Sequence, residues 1–325
     1  MTTYSFKAVT IPGANAGVIA AGIDDLGRIS GSYTQGFPDN PYPQAFILND
    51  AGGFVSLGAG PGGHHSSGYH MNNKGDLALQ SGRFAQTSRG FVYHSGTATF
   101  DRLTVGTDPL RPYTTAIGAN DLGYTVGAIN FGGASAGFFA DGSQGAIWHN
   151  GFIVGIFSMP GADWTVATDV TDYGITVGTY DTNGTHHGFI GYGGQQWTLD
   201  VPHAVSTNVW SINEKSEITG SFTDANGATH GFVDLAGHFS EIDMPGATNT
   251  FIYDANDYGQ IVGAYTMPND PVPHSFVATP DFDAMLPAAP SLPFMVRHQT
   301  GLAHGSLYDD PTQAVLATVR DSALT

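Results

Sequence analysis

The side chains best suited to moving protons in this sequence are its 13 histidines, since it has no cysteine and its 28 acids face only 10 lysines and arginines. An imidazole with an unperturbed pKa near 6.5 exchanges protons at neutral pH. Three of them, His64, His65 and His203, interrupt a Pro-Gly-Ala corner that other stretches of the chain keep. A departure from a repeated pattern is where function overrides local consistency. These three are read as general acid/base candidates, with a solvated loop histidine as the alternative. Asp163, in another such corner, joins them as a carboxylate. His187, His230 and His274 instead occupy one repeated slot, just before Gly-Phe or Ser-Phe. Repetition favours a structural ring, stacked or hydrogen-bonded between neighbouring repeats, but their place near the corners keeps them as candidate substrate contacts.

Arg111, in the divergent corner Thr107-Asp-Pro-Leu-Arg-Pro-Tyr113, is one of the few basic residues. Its planar fork suits clamping an anionic or enolate oxygen, and a surface salt bridge is the competing reading. Tyr69, Tyr113, Trp164, Trp210 and Phe251 are expected to supply an aromatic lining for a substrate. Three motifs are decoys. Gly133-Ala-Ser-Ala-Gly137 matches a nucleophile elbow but lacks the strand-to-helix turn that chemistry needs. Gly58-Ala-Gly-Pro-Gly-Gly63 has no following helix to cradle a phosphate. Asp181-Thr-Asn-Gly-Thr185 and Asp224-Ala-Asn-Gly-Ala228 begin like calcium loops, but Tyr192 and Leu235 stand where the closing acid belongs. A histidine metal site built from His64, His65 and His203 is the weaker alternative; the expectation is no metal and no cofactor.

The elements that must position these residues are repeats. Ala255-Asn-Asp-Tyr-Gly-Gln-Ile-Val-Gly-Ala-Tyr265 is matched by Ile212-Asn-Glu-Lys-Ser-Glu-Ile-Thr-Gly-Ser-Phe222 and Val170-Thr-Asp-Tyr-Gly-Ile-Thr-Val-Gly-Thr-Tyr180, with weaker copies from Ile23, Met71 and Ala119. The spacings of 48, 48, 51, 42 and 43 residues fit one four-stranded propeller blade each. Within a unit, strand A is β-branched or aromatic. Asn-Asp-x-Gly turns into strand B, His-Gly-Phe opens strand C, and an alternating run forms strand D. A D-type strand, Phe6-Lys-Ala-Val-Thr-Ile11, precedes every A strand, and the last unit lacks its own. The reading is an all-β, six-bladed propeller over residues 1–280. Residues 5–11 close the ring against residues 273–279, which hides both sheet edges. Residues 281–325 are a proline-rich extension with one short helix, for which Asp310 is the N-cap and Pro311 the first position. This tail is expected to cap the opposite face or to join copies into a homo-oligomer. The long B–C connection of blade 3, residues 130–145, is expected to act as a lid.

The unit Asn-Asp-x-Gly-x-Ile-Val-Gly, then His-Gly-Phe, then Pro-Gly-Ala, resembles the bacterial HAF, or probable-extracellular-repeat, family over residues 5–279, most strongly from 159 to 276. The resemblance implies the propeller fold. Its motif consists of turn and packing residues and transfers no activity. Some fungal proteins similar to this family are hetero-Diels–Alderases that need no cofactor, which implies a class of chemistry without assigning residues.

Composition excludes other classes. A net charge of −18 and a pI near 4.7 repel a polyanionic duplex and an anionic membrane, so neither nucleic acid nor membrane is an expected partner. No basic stretch followed by an apolar run opens the chain, so no signal peptide is read, and the compartment stays open between cytoplasm and secretion. Two functions fit. One is an enzyme without cofactor that dehydrates or cyclises a small apolar oxygenated natural product in a central funnel. The other is a lectin-like propeller, which would repeat its sugar site in every blade. Residues at the top of strand A differ from blade to blade, which favours one unique site and ranks the enzyme first.

Overall fold

The computed structural model describes residues 3–281 apart from 15, 36–41, 50–51, 83–88, 107–112 and 132–139. Its strands fall into six four-stranded antiparallel sheets. Blade 1 is β2 (Ala16–Ile23), β3 (Ile29–Thr34), β4 (Pro43–Leu48) and β5 (Phe54–Ser56). Blade 2 is β6 (His65–Met71), β7 (Asp76–Gly82), β8 (Arg89–His94) and β9 (Thr99–Arg102). Blade 3 is β10 (Tyr113–Ala119), β11 (Tyr124–Asn130), β12 (Gln144–His149) and β13 (Phe152–Phe157). Blade 4 is β14 (Trp164–Val170), β15 (Thr176–Thr182), β16 (Thr185–Tyr192) and β17 (Gln195–Leu199). Blade 5 is β18 (Ser206–Ile212), β19 (Glu217–Thr223), β20 (Thr229–Leu235) and β21 (His238–Ile242). Blade 6 is β22 (Asn249–Ala255), β23 (Ile261–Met267) and β24 (Asp270–Pro280), completed by β1 (Tyr4–Ala8).

β1 pairs antiparallel with β24 from Tyr4↔Pro280 to Ala8↔Phe276, and each inner strand touches the next until β22 reaches β2. The ring is therefore a six-bladed propeller, closed as the sequence led us to expect. The expected C-terminal helix lies outside the described residues.

The repeat motif is steric. A Cβ added to the glycine of strand B would stand 1.9–2.1 Å from a strand A carbonyl at Gly31, Gly127, Gly178, Gly220 and Gly263. In four of those blades the strand C phenylalanine (Phe46, Phe189, Phe232, Phe276) lies against the same spot and is itself fully buried. Glycine makes the space, and the ring fills it. The apolar clusters then form between blades, for example Ile175, Val177 and Ile190 of blade 4 against Val209, Ile212 and Phe232 of blade 5.

Candidate functional site

Among the described residues, the structure separates those that the sequence singled out at the corners. His65 opens β6 and is half-buried; that burial, with His64 beside it, lowers its pKa below the ordinary histidine value. His64 meets the Tyr42 ring edge-on at 5.9 Å. His203 is exposed and takes a left-handed φ of 65°, in the place that Gly161 and Gly246 fill at 76° and 79°. The Asp163 carboxylate accepts the Asn183 N–H at 2.7 Å and so fastens the B–C turn of its own blade. Among the described residues, His64, His65 and His203 do not form a metal-binding group. Arg111 and most of the expected lid lie outside the described residues.

The repeated histidines are held within single blades rather than between them. His187 stacks on Tyr180 and pairs with Asp200 at 2.7 Å. His230 stacks on Phe222 and pairs with Asp243 at 2.7 Å. His274 tilts over Tyr265 and pairs with Asp270 at 2.9 Å. The cause is register. Each histidine stands directly opposite its aromatic partner across the B–C ladder, as in Phe222↔His230, and cross-strand neighbours on one face pack.

Inside the ring, partly exposed side chains on strands with no inner neighbour line an axial channel. β6 contributes His65, Ser67 and Tyr69 at alternate positions. Tyr69 crosses to pack on Ile117, Trp164 and Val166 of blades 3 and 4, and burial raises its phenol well above the usual range. The Tyr113 hydroxyl accepts from Gln80 Nε2 at 2.5 Å. Trp210 and Tyr253 meet edge-on at 5.8 Å, Phe251 stacks on Tyr253, and burial pushes Tyr253 up to about 12. His186, whose Nδ1 lies 2.9 Å from Asn208 Oδ1, approaches the edge of Trp164. Tyr69, Tyr113, Trp210 and Phe251 are partly exposed on the inner strands of blades 2, 3, 5 and 6, whereas Trp164 is buried.

Sequence reasoning missed the lower end of that channel. His70 of blade 2, Asp169 of blade 4 and Asp254 of blade 6 converge on the axis, all buried. His70 Nδ1 lies 3.5 Å from Asp169 Oδ2. Ser211 of blade 5 sits between the carboxylates, 2.9 Å from Asp169 Oδ2 and in hydrogen-bond contact with Asp254 Oδ1. Burial pulls the His70 imidazole down, but the charges of Asp254 and Asp169 outweigh it and the pKa is raised. Burial pushes the Asp254 carboxyl up. The signal was present in the repeat. The slot before Ile23, Met71, Ala119, Val170, Ile212 and Ala255 reads Gly22, His70, Gly118, Asp169, Ser211 and Asp254.

Below the cluster, the Asn-Asp-x-Gly turns form a latch around the ring. Asn120 Nδ2 donates to the Thr171 carbonyl, Asn213 Nδ2 to Asn256 and Asn256 Nδ2 to Asp24, each in the next blade. The second turn residue accepts a neighbour's backbone N–H: Asp121 donates to Asp172, Asp172 to Glu214, Glu214 to Asp257, Asp257 to Asp25 and Asp25 to Asn73. Apart from Thr171, these residues line a cavity of about 140 Å³ together with His70, Asp169 and Asp254. Burial, with Asp172, Asp169 and Asp257 nearby, pushes Glu214 up to about 7.

No family model matches the chain, and no curated protein matches it in sequence. Solved structures do resemble it. TolB from Acinetobacter baumannii aligns with a TM-score of 0.53 at 11% identity, over 79% of this chain and 65% of that one. An acylaminoacyl peptidase from Pyrococcus horikoshii aligns at 0.45 and 10%, over 82% of this chain and 53% of that one. A lectin from Aleuria aurantia, solved with Fucalpha1-6GlcNAc, aligns at 0.44 and 8%, over 83% and 89%. This chain spans between about half and two thirds of the length of the first two. At these identities the likeness is one of fold, and the class defined is the β-propeller.

Proposed function

We propose that this propeller is an enzyme without organic cofactor, holding one small, largely apolar, oxygenated molecule in the upper axial channel and dehydrating or cyclising it in the manner of a hetero-Diels–Alder reaction. The supporting observation is the asymmetry of the inner strands. At two alternate positions of the inner strand the six blades carry Ile19, Ser67, Thr115, Val166, Asn208 and Phe251, then Ala21, Tyr69, Ile117, Thr168, Trp210 and Tyr253. Blades 2, 5 and 6 give an aromatic wall, whereas blades 3 and 4 give a closely packed wall of small and aliphatic groups. Six blades with six different linings make one site rather than six. A lectin that binds between blades needs the opposite.

The chemistry follows from what each group offers. His65, with its lowered pKa, is neutral at pH 7 and accepts a proton. The Tyr69 phenol, kept protonated by burial, donates a hydrogen bond to a carbonyl or departing hydroxyl oxygen. Trp210, Phe251 and Tyr253 hold the apolar body, and orientation of this kind supplies roughly 7–11 kcal/mol of a barrier. The resemblance to fungal hetero-Diels–Alderases points to the same class of chemistry, whereas the HAF motif itself transfers no activity. The test is incubation with a phenolic benzylic alcohol and an alkene, with mass spectrometry for the adduct minus water. Turnover should fall about 10²-fold or more in His65→Ala and Tyr69→Phe at unchanged melting temperature. Saturable binding of oligosaccharides, with no turnover in the wild type, would establish the lectin-like reading instead.

A further inference from the structure

We propose that His70, Asp169 and Asp254 form a divalent metal-ion site on the propeller axis, taking a first-row transition cation such as Mn²⁺ or Zn²⁺ and tying blades 2, 4 and 6 together. The inference goes beyond the proposed reaction, which uses the other end of the channel, and does not depend on it.

The hydrogen bonds leave room for three ligand bonds. An ionised carboxylate has about four acceptor positions. Asp169 accepts the Ile212 N–H at Oδ2 and the Val170 N–H at Oδ1, and Asp254 accepts the Ala255 N–H at Oδ1 and the Ile23 N–H at Oδ2. The one Ser211 hydroxyl proton goes to Asp169 Oδ2 or to Asp254 Oδ1, so at least one position remains on each. The third belongs to His70, which is 4% exposed and whose Nδ1 is buried without a hydrogen-bond partner. One ligand atom from each of the three residues lies within 4.8 Å of the others, so a small contraction centres them on one ion.

Charge and proton counting point the same way. Ser211 has one hydroxyl proton but faces two carboxylates. A dication with two carboxylates and a neutral imidazole is balanced. Glu214 Oε2, on the wall of the same cavity, is a second buried polar atom without a hydrogen-bond partner. The cavity of about 140 Å³ has room for water to complete the coordination, and the turn carboxylates around it draw cations in. One imidazole with two carboxylates suits Mn²⁺ or Zn²⁺ better than Ca²⁺, which prefers six to eight oxygens. The neighbouring slots are cleared for the site. A Cβ on Gly118 would stand 2.6 Å from the Asp169 Cα, and one on Gly22 would stand 2.9 Å from the His70 Cα.

The experiment uses the full chain, stripped with a chelator, then titrated with Mn²⁺, Zn²⁺, Mg²⁺ or Ca²⁺. Binding is read by calorimetry and, for Mn²⁺, by electron paramagnetic resonance. We expect one Mn²⁺ or Zn²⁺ per chain, weaker or no binding of Mg²⁺ and Ca²⁺, and a melting temperature raised by roughly 5–10 °C at a hundredfold excess over Kd. His70→Gln and Asp169→Asn should lose the ion. His230→Gln, which alters the exposed group His230, Glu241 and Asp243, should keep it. Competition between Zn²⁺ and Mn²⁺ for one site on the wild type keeps the test valid if the axial variants fold poorly. A wild type with no stoichiometric ion, or a His70→Gln variant that folds and binds as tightly as the wild type, overturns the proposal. So does loss of the ion in His230→Gln alone.

Discussion

At the corner between blades 4 and 5, His203 holds a φ of 65° that glycine fills elsewhere at lower cost. His203→Gly should raise stability by about 1 kcal/mol, seen as a melting temperature a few degrees higher. A fall in turnover in that stabilised variant would mark a histidine kept for function; unchanged turnover would mark a tolerated loop residue. His230 is the opposite case. Its ring is fixed by Asp243 at 2.7 Å and by stacking on Phe222. His230→Ala should lower stability by about 1 kcal/mol and leave turnover unchanged, checked by denaturant unfolding beside product formation. The sequence separates repeated from unrepeated histidines as patterns. It placed the stacking between blades, because the B–C register that sets His230 opposite Phe222 is read only from the ladder.

In each blade, two short motifs carry most of the steric and hydrogen-bonding logic. Gly220→Ala would drive a Cβ to 2.1 Å from the Asn208 carbonyl and 2.6 Å from the Phe232 ring. Because the nearest atom is backbone, it cannot rotate away, and the variant should lose about 3 kcal/mol or more, or fail to fold. Gly246→Ala, at a corner with open space around it, tests the alternative that any glycine loss is damaging; it should cost about 1 kcal/mol from its φ of 79° alone. The turn in Asn-Asp-x-Gly was legible, since Asn120 Oδ1 accepts the N–H groups of Leu122 and Tyr124 within its own turn. Its second role was not legible. Asn120 Nδ2 reaches Thr171, the same slot one repeat on, and only ring closure brings consecutive slots within hydrogen-bond reach.

Over the whole ring, closure rests on β1. Removing residues 1–11 should expose the β24 edge and give an aggregating chain with a lower melting temperature; unchanged melting would refute the role of β1 in closure. Acidity should also be visible in stability. Asp234 is buried with Oδ1 lacking a hydrogen-bond partner, and burial pushes it up to about 6 from an unfolded value of 3.8. The folded state therefore binds the proton more tightly, so this contribution is full below about pH 4 and is lost as pH rises through 6. Asp234→Asn should flatten the fall in melting temperature between pH 4 and pH 7.

By itself the sequence determined the blade count, the order of strands and the closing strand. Each is encoded in a period of 42–51 residues, with Gly, Phe and Asn-Asp-x-Gly at fixed offsets. Local propensity and repetition suffice for these. The axial cluster was decided only by the tertiary structure. His70, Asp169, Ser211 and Asp254 lie up to 184 residues apart and share nothing but a slot in the repeat. Closing six blades into one ring turns that shared slot into a shared point on the axis. There, Gly22 and Gly118 withdraw and the other four side chains meet.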